Sequence, residues 1–258
     1  KMKVQKSFLI MKIMKKLTVI LPTKNSEKYI KIFLNSLKEQ DFQDFILYLA
    51  DSSSEDNTIE IVKNYNFNLR IISREDNNAE DGMNKCLEKV ETNYFCIFMS
   101  DDKLGQKNYI SELIHTLESG ADIALPNFGT IINNKFNIKD QKKNYNNLPY
   151  HNMPPDIGWI AKTSILKEGL FTQRYKLATS YHFLLRLHKK NYIFKRNKNV
   201  HYFFRVGGNS FNGFLAFFEQ SKVSLEFGGK KLLVYKILVI NFLKYFIKYK
   251  LLKFYFKA

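Results

Sequence analysis

The chain has 258 residues, of which 45% are apolar and 25% are charged, and its formal net charge is +17. These values indicate one globular domain, or one domain with a small appendage. The two cysteines, Cys86 and Cys96, stand among apolar residues. That setting is typical of reduced core thiols and argues against a disulfide scaffold or a zinc site.

The positive charge is concentrated at the two ends of the chain. Residues 1–16 contain six lysines and residues 230–258 contain eight, and neither segment has an acidic residue. Residues 17–229 therefore carry a net charge of only +3. Because a nucleic-acid-binding protein usually spreads basic residues over a folded face, we expect no nucleic-acid partner.

The C-terminal segment is rich in Leu, Ile, Phe and Tyr and is regularly interrupted by Lys. Its longest uncharged stretch, 237–243, is much shorter than the ~18–20 residues that span a bilayer. One interpretation is a helix packed on its own domain with solvated lysines. We favour attachment to an anionic membrane surface, which predicts a cytoplasmic protein that is peripheral at the inner face of the cell membrane.

Apolar runs and segments of helical periodicity alternate through the first half of the chain. In chain order they predict a strand at 17–21, a helix after Ser26, a strand at 45–50, a helix from Ile59, a strand at 69–73, a helix at 81–90, a strand at 94–99, a helix at 109–117 and a strand at 123–125. This alternation is typical of an α/β fold with a mainly parallel sheet flanked by helices.

The second half is less regular. Residues 127–153 are rich in Asn and Lys and predict a long loop or irregular insertion. Helices follow at 163–169 and 178–189, then a strand at 192–194, and Gly228-Gly229 separates the body from the basic tail.

Polar clusters stand at the ends of the predicted strands. Pro22-Thr23-Lys24-Asn25, Asp51-Ser52-Ser53 and Ser100-Asp101-Asp102 each follow a strand. In parallel sheets, ligands bind beyond the carboxyl ends of the strands. Adjacent carboxylates at such an edge suit Mg²⁺ or Mn²⁺, which also binds substrate phosphate. No GxGxxG or GxxxxGK[ST] sequence occurs, so neither a dinucleotide fingerprint nor a P-loop is supported.

Several of these segments together resemble glycosyltransferase family 2. The stretches "TVILPTKN", "DFQDFILYLADSSSEDNTIEIV" and "DNNAEDGMNKCLEKVETNYFCIFMSDD" resemble its nucleotide-sugar half. The stretches "ILKEGLF", "ATSYHFLLRL" and "FFRVGGNS" resemble its acceptor half. The resemblance implies a GT-A fold, with a basic extension at 1–16, a nucleotide-sugar-binding half at 17–126, an acceptor-binding half at 127–228 and a basic apolar helical tail at 229–258.

The resemblance also implies roles for individual residues. Asp51 would bind the nucleobase, Asp81 would reach the nucleotide-sugar, and Asp101 and Asp102 would hold ribose and the metal-diphosphate, with Asp102 as the direct metal ligand. The other residues implied to line the nucleotide-sugar are Pro22, Thr23, Lys24, Asn25, Ser53 and Ser100. Taken singly, Asp51 is also typical of an Asx-turn and Asp81 of a helix N-cap.

The chain departs from the family pattern at three places. Lys24 stands where the family often has Tyr, and Ser100 where many members have a first Asp. Ser180 and His182 stand at two Asp positions, the first of which is associated with the general base. Three interpretations stay open: His182 is the base, Asp156 from the 127–156 region is the base, or the chain binds without turnover.

The expected function is transfer of a sugar from a nucleotide-sugar, UDP-linked, to a glycan or lipid-linked acceptor of a bacterial surface polysaccharide such as lipooligosaccharide or capsule. The resemblance implies inversion at the anomeric carbon and a divalent cation, Mn²⁺ or Mg²⁺. The alternative is a catalytically degenerate relative that binds nucleotide-sugar or glycan without turnover.

Overall fold

A computed structural model describes residues 15–73, 79–132, 135–138, 157–206 and 213–255. They form a mixed sheet of nine strands with helices on both of its faces. The predicted α/β architecture is therefore confirmed. Both cysteines are buried and reduced, as expected.

The first four long strands form the parallel part of the sheet. Strands β1 (Leu17–Thr23), β2 (Phe45–Asp51), β3 (Leu69–Ser73) and β4 (Tyr94–Ile97) lie in the order β3-β2-β1-β4, with all neighbours parallel. Because these strands run in one direction, their carboxyl ends meet at one edge. That edge carries the polar clusters that follow β1, β2 and β4.

The remaining strands extend the sheet beyond β4 in mixed directions. The added strands are β5 (Lys103–Leu104), β6 (Ile123–Ile132), β7 (Lys135–Ile138), β8 (Ile160–Lys162) and β9 (Phe194–Arg205). β8 is antiparallel to both β4 and β6, and β9 runs parallel to β6. The short β5, directly after the aspartate pair, is antiparallel to the end of β9, and this pairing brings two distant parts of the sequence together.

Helices cover both faces of this sheet. They are α1 (Glu27–Lys38), α2 (Thr58–Lys63), α3 (Ala79–Leu87), α4 (Tyr109–Glu118) and α5 (Thr179–Lys189). Neighbouring side chains of β1 point to opposite faces, as the pleat requires. Val19 packs in the cluster that contains α1 and α4, whereas Ile20 packs in the cluster that contains α3 and α5.

Three predictions for the second half need correction. The loop predicted for 127–153 is wrong for its first part, because β6 extends to Ile132 and β7 covers Lys135–Ile138. β6 is buried from Phe128 to Ile131, and the polar side chains of β7 are compatible with a strand because β7 lies at an edge and is exposed throughout. Residues 139–156 lie outside the described part of the chain. The strand predicted at 192–194 is the twelve-residue β9, and the helix predicted at 163–169 is a 3₁₀-helix, Thr163–Glu168.

Two helices complete the described chain. α6 (Gly213–Glu226), which the sequence patterns did not indicate, ends at the predicted boundary Gly228-Gly229, and α7 (Lys231–Tyr255) follows. A side chain at Gly229 would meet Ser224 O at 2.7 Å and Val234 Cγ2 at 2.9 Å, so a glycine is needed where the two helices turn. Within the described ranges, none of the helices combines the length and the hydropathy needed to cross a bilayer.

Candidate functional site

The loops after β1 and β2 are joined by hydrogen bonds to a buried aspartate. Asp51 has no exposed surface and lies beside Thr23, its partner in the ladder. Thr23 Oγ1 donates to Asp51 Oδ1 at 3.0 Å, and Ser54 donates to the same carboxylate from its backbone N (2.9 Å) and from its Oγ (2.6 Å). These bonds fix the loop after β2, as an Asx-type turn residue does, so the expected contact with a nucleobase stays a prediction.

The same two loops are linked a second time through Asn25. Its backbone N–H donates to Ser54 Oγ at 2.9 Å, and its Oδ1 accepts from the N–H of Glu55 at 2.9 Å. Asn25 and Ser53 both have positive φ, 49° and 53°. Lys24 between these bonds is exposed, and Pro22 is half-buried. The residues expected to line the nucleotide that follow β1 and β2 thus lie on two connected loops.

The aspartate pair lies at the same edge of the sheet, where β4 ends. Asp101 is half-buried, whereas Asp102 is only 3% exposed. Asp102 Oδ1 accepts from the backbone N–H of Arg205 at 3.0 Å, and the Tyr202 hydroxyl bonds to the same carboxyl group. Burial, followed by the neighbouring Asp101 charge, raises the pKa of Asp102 to about 8. Burial also raises the pKa of Asp101, against the effect of the Arg205 charge.

The positively charged side chain of Arg205, at the end of β9, lies at this edge. Its guanidinium carbon lies 4.4 Å from the centre of the Tyr29 ring. Its Nε and one terminal nitrogen are buried, and neither has a hydrogen-bond partner among the described residues. Buried polar groups normally have partners, so unsatisfied guanidinium donors beside two carboxylates suggest a site for an anionic ligand. Sequence reasoning had quoted Arg205 in "FFRVGGNS" without assigning it a role.

The residues of this edge fit a divalent cation. Asp101 and Asp102 offer carboxylate oxygens, and a cation beside them would offset the burial that raises both pKa values and the Asp101 charge that further raises that of Asp102. Among residues that the structure describes, at this edge and elsewhere, no group of three or more His, Cys, Asp or Glu side chains is placed to hold a metal. Two protein ligands suffice for Mg²⁺ or Mn²⁺ when water and substrate phosphate complete the shell. Asp102 as the direct ligand stays a prediction.

The first turn of α3 adds two more acidic residues. Asp81 is half-buried and bonds to Lys85 Nζ at 2.9 Å. Glu80, which the sequence reasoning missed although it adjoins Asp81, is also half-buried. Burial, and to a lesser degree the charge of Glu219, raises the pKa of Glu80. Since Glu219 belongs to α6, this places the start of α3 near α6.

His182, on α5, is buried and contacts charged and aromatic side chains of the protein itself. It is 5% exposed, and its Nε2 lies 3.0 Å from Arg174 and 3.4 Å from Glu226 Oε1. Its ring packs against Phe227, and its buried Nδ1 has no hydrogen-bond partner among the described residues. Burial is the main cause that lowers the pKa of His182, against the opposing effect of Glu226. These contacts are typical of a structural histidine; its role as base stays a prediction, and Asp156 lies outside the described residues.

The N-terminal end of α5 is held by a carboxylate from α6. Glu219 is 8% exposed and accepts from three successive backbone N–H groups, those of Lys176 (3.1 Å), Leu177 (2.7 Å) and Ala178 (3.1 Å). A carboxylate at this place compensates the free N–H groups that precede a helix. Ser180, the second residue of α5, is half-buried. No pattern around Glu219 in the sequence indicated this contact, because it joins residues more than 40 positions apart.

Comparison with known proteins decides the family. The model of "Glycosyl transferase family 2" matches residues 18–212, about three quarters of the chain. The chain belongs to glycosyl transferase family 2. The resemblance found in the sequence is therefore confirmed, and Asp51, Asp101, Asp102 and Arg205 lie within the matched region.

Two curated family relatives share shorter stretches with the chain. It is 38% identical over 96 residues to the teichoic acid poly(glycerol phosphate) polymerase of Staphylococcus epidermidis, a match of 35% of this chain and 13% of that protein. It is 35% identical over 118 residues to the poly(ribitol-phosphate) beta-N-acetylglucosaminyltransferase TarS of Staphylococcus aureus, a match of 43% of this chain and 21% of that protein. The matches thus span much less than half of the relatives' lengths.

Solved structures support the fold. Residues 1–349 of S. aureus TarS in complex with UDP-GlcNAc superpose with a TM-score of 0.67 at 23% identity, covering 86% of this chain and 70% of that one. The mannosyltransferase PcManGT of Pyrobaculum calidifontis, in complex with GDP-Man and Mn²⁺, gives a TM-score of 0.65 at 16% identity, covering 86% and 68%. The predicted GT-A fold is confirmed at this level.

Proposed function

We propose that this family 2 protein transfers a sugar from a UDP-linked nucleotide-sugar to a hydroxyl group of a bacterial cell-surface polymer, with inversion and with a divalent cation. The observation that carries the proposal is the convergence of Asp101, Asp102 and the unsatisfied Arg205 guanidinium at one edge of the sheet. This cluster combines groups that hold a cation with donors that bind phosphate oxygens.

The residues of the site can bind both the nucleoside and the diphosphate of the donor. The loops after β1 and β2 form a fixed support for the nucleoside, since Asp51 and Asn25 bond them to each other. Arg205 would donate to diphosphate oxygens and stabilise the charge that develops as the diphosphate leaves the anomeric carbon. Asp102, with Asp101, would hold a divalent cation, which supplies further charge neutralisation when bound.

The names of the relatives indicate which class of acceptor should be tested first. Their names describe a poly(glycerol phosphate) polymerase and an enzyme acting on poly(ribitol-phosphate). We therefore take a polymer of alditol phosphates as the first acceptor to test, before lipooligosaccharide or capsule. Binding holds the attacking hydroxyl near the anomeric carbon, and this proximity supplies a large part of the rate.

The acceptor hydroxyl also requires a base. Ser180 stands where the family has a carboxylate, and His182 is held by Arg174, Glu226 and Phe227. Of the two bases considered, this arrangement favours Asp156. An Asp156→Asn variant would then lose most turnover, whereas His182→Ala would lose stability and keep its pH–rate profile; the reverse result would assign the base to His182.

One observation favours the second candidate function, binding without turnover. The carboxylates at the acceptor side, Glu219 and Glu226, are both engaged in hydrogen bonds to the protein itself. If no base exists, the wild-type protein would bind the donor but not transfer its sugar. Ser180→Asp, which restores the family's residue, would then create turnover where the wild type has none.

A thermal-shift screen tests the proposal. UDP-GlcNAc, UDP-glucose, UDP-galactose and GDP-mannose would be added to the protein with and without Mn²⁺. A ligand at 100 times its Kd stabilises the native state by about 2.7 kcal/mol, so specific binding raises the melting temperature. We expect a shift with a UDP-sugar that grows with Mn²⁺. No shift with any donor contradicts both candidate functions.

A further inference from the structure

The last described helix, α7, presents its apolar side chains to solvent. It packs on α6, where Val234 is fully buried. Eight of its large apolar side chains are nevertheless exposed, including Leu232 at 86%, Val239 at 55% and Leu243 at 52%. The others are Leu233, Tyr235, Ile240, Phe242 and Phe246. An ordinary surface helix turns such a face towards the core.

These eight side chains occupy one side of α7. At about 100° per residue, all of them fall within roughly half of the helix circumference. Val234, Ile237, Leu238 and Asn241, which are buried or half-buried, fall on the opposite half, which faces α6. α7 thus has an inner side that packs on α6 and an outer side, which we call the outer α7 face, that is apolar and exposed. A continuous patch of eight exposed apolar side chains indicates an interaction surface.

The charge of the segment limits what can cover the outer α7 face. Residues 227–258 contain eight lysines and no acidic residue. A second copy would bring sixteen lysines together, and their mutual repulsion opposes such a dimer. A suitable partner supplies negative charge together with a deep apolar layer. The headgroup and acyl boundary of an anionic bilayer has both properties, and long lysine side chains can reach the headgroups from within the apolar face.

We propose that the outer α7 face lies in the surface of an anionic membrane, with the helix axis parallel to the bilayer. The eight exposed apolar side chains enter the acyl boundary, and Lys231, Lys236 and Lys244 contact lipid phosphates. Because α7 follows directly on α6, this attachment holds the folded body next to the membrane, where a lipid-linked acceptor would be found. The attachment is independent of whether the protein turns over its donor.

Vesicle co-sedimentation of the full chain tests the proposal. Vesicles of phosphatidylcholine with 30% phosphatidylglycerol are compared with pure phosphatidylcholine. We expect the chain to bind the anionic vesicles and to bind neutral ones far more weakly. Changing Lys231, Lys236 and Lys244 to Gln should weaken anionic binding about a hundredfold, because each basic residue near the surface contributes about one kcal/mol.

A variant of the outer α7 face tests whether apolar side chains enter the bilayer or whether the lysines alone attract the protein to anionic lipid. Val239→Glu combined with Leu243→Glu should weaken binding at least tenfold, because two apolar side chains no longer enter the bilayer. Ile193→Glu, at an exposed apolar residue outside α7, is the matched control and should bind as the wild type. Both variants keep core residues unchanged, and an unaltered melting temperature verifies folding.

Three results would overturn the proposal. They are equal binding to neutral and anionic vesicles, unchanged binding of the Val239→Glu, Leu243→Glu variant, and sedimentation of the free protein as a dimer that this variant dissociates. The last result would assign the outer α7 face to a second copy. A failed donor screen leaves vesicle binding unaffected, so the two proposals fail separately.

Discussion

The edge at Asp102 and the N-terminal end of α5 each contain two acidic groups, of which one is buried, but they neutralise them differently. At α5, Glu219 accepts from three backbone N–H groups and Glu226 bonds to Arg174 and Tyr175. Burial acts to raise the pKa of Glu226, but those hydrogen bonds outweigh it and the pKa is lowered. At the sheet edge, by contrast, the pKa of Asp102 rises to about 8.

The carboxylates near α5 are satisfied by the protein itself, whereas those at the sheet edge would be completed by a ligand. Charges that the fold neutralises internally contribute to structure, whereas perturbed pKa values and unsatisfied donors concentrate at functional sites. The sheet edge has both of these features, in Asp102 and Arg205. We therefore expect substitutions at the edge to affect ligand binding and turnover, and substitutions near α5 to affect stability.

The largest effect is expected for Asp102→Asn. The amide can still accept from the Arg205 backbone N–H but cannot supply a negative ligand to a cation, so kcat/KM should fall about 10²–10³-fold. The Mn²⁺-dependent part of the donor thermal shift should disappear. Glu88→Gln, an exposed carboxylate on the same half of the chain, is the control. Full activity of Asp102→Asn would remove the aspartate pair from the site.

A smaller effect is expected for Arg205→Met. Its guanidinium has donors free for a diphosphate, and charge-assisted hydrogen bonds contribute about 1.5–3 kcal/mol, so donor Kd should rise about ten- to a hundredfold. Calorimetric titration with the UDP-sugar measures this. Arg174→Met is the matched arginine control, because Arg174 bonds to Glu226 and should leave donor affinity unchanged. Equal losses in both variants would contradict the contrast between the regions.

Glu219→Gln should affect stability instead of donor binding. The amide cannot offer a charged acceptor to all three N–H groups before α5, so the free energy of unfolding should fall by about 1.5–3 kcal/mol. Urea unfolding measures the loss, and the donor Kd should stay at the wild-type value. A variant with normal stability but weakened donor binding would instead place Glu219 in the functional site.

The smallest effect is a pH dependence of the ligand-free protein. Asp102 has a higher pKa in the folded chain than in the unfolded one, so the folded state binds more protons between about pH 4 and pH 8. Stability should therefore fall as pH rises through this range, by a few degrees in melting temperature. Asp102→Asn should flatten the profile. Bound Mn²⁺ should stabilise the protein more at high pH, where the carboxyl group of Asp102 is ionised. A stability of the ligand-free protein that rises with pH over this range would contradict the raised pKa of Asp102.

The sequence by itself determined the α/β class and most of the first half. β1 and β2 are nearly continuous apolar runs because they are buried on both faces, and such runs are detectable without a structure. Asp51 follows the apolar run of β2, and Asp101 and Asp102 come shortly after that of β4, so all three could be predicted as edge residues. The quoted family motifs added the GT-A fold, which the comparisons confirm.

The tertiary structure alone decided which distant residues complete the edge and what holds α5. Arg205 reaches Asp102 only because β5 pairs with the end of β9, a contact between residues about 100 positions apart. Glu219 reaches α5 only because α6 packs there. The sequence patterns also miss the end of β6 and all of β7, and β7, which is exposed throughout, is a strand through its pairing with β6. Local patterns report which side chains are buried, but non-local pairing determines which charges meet.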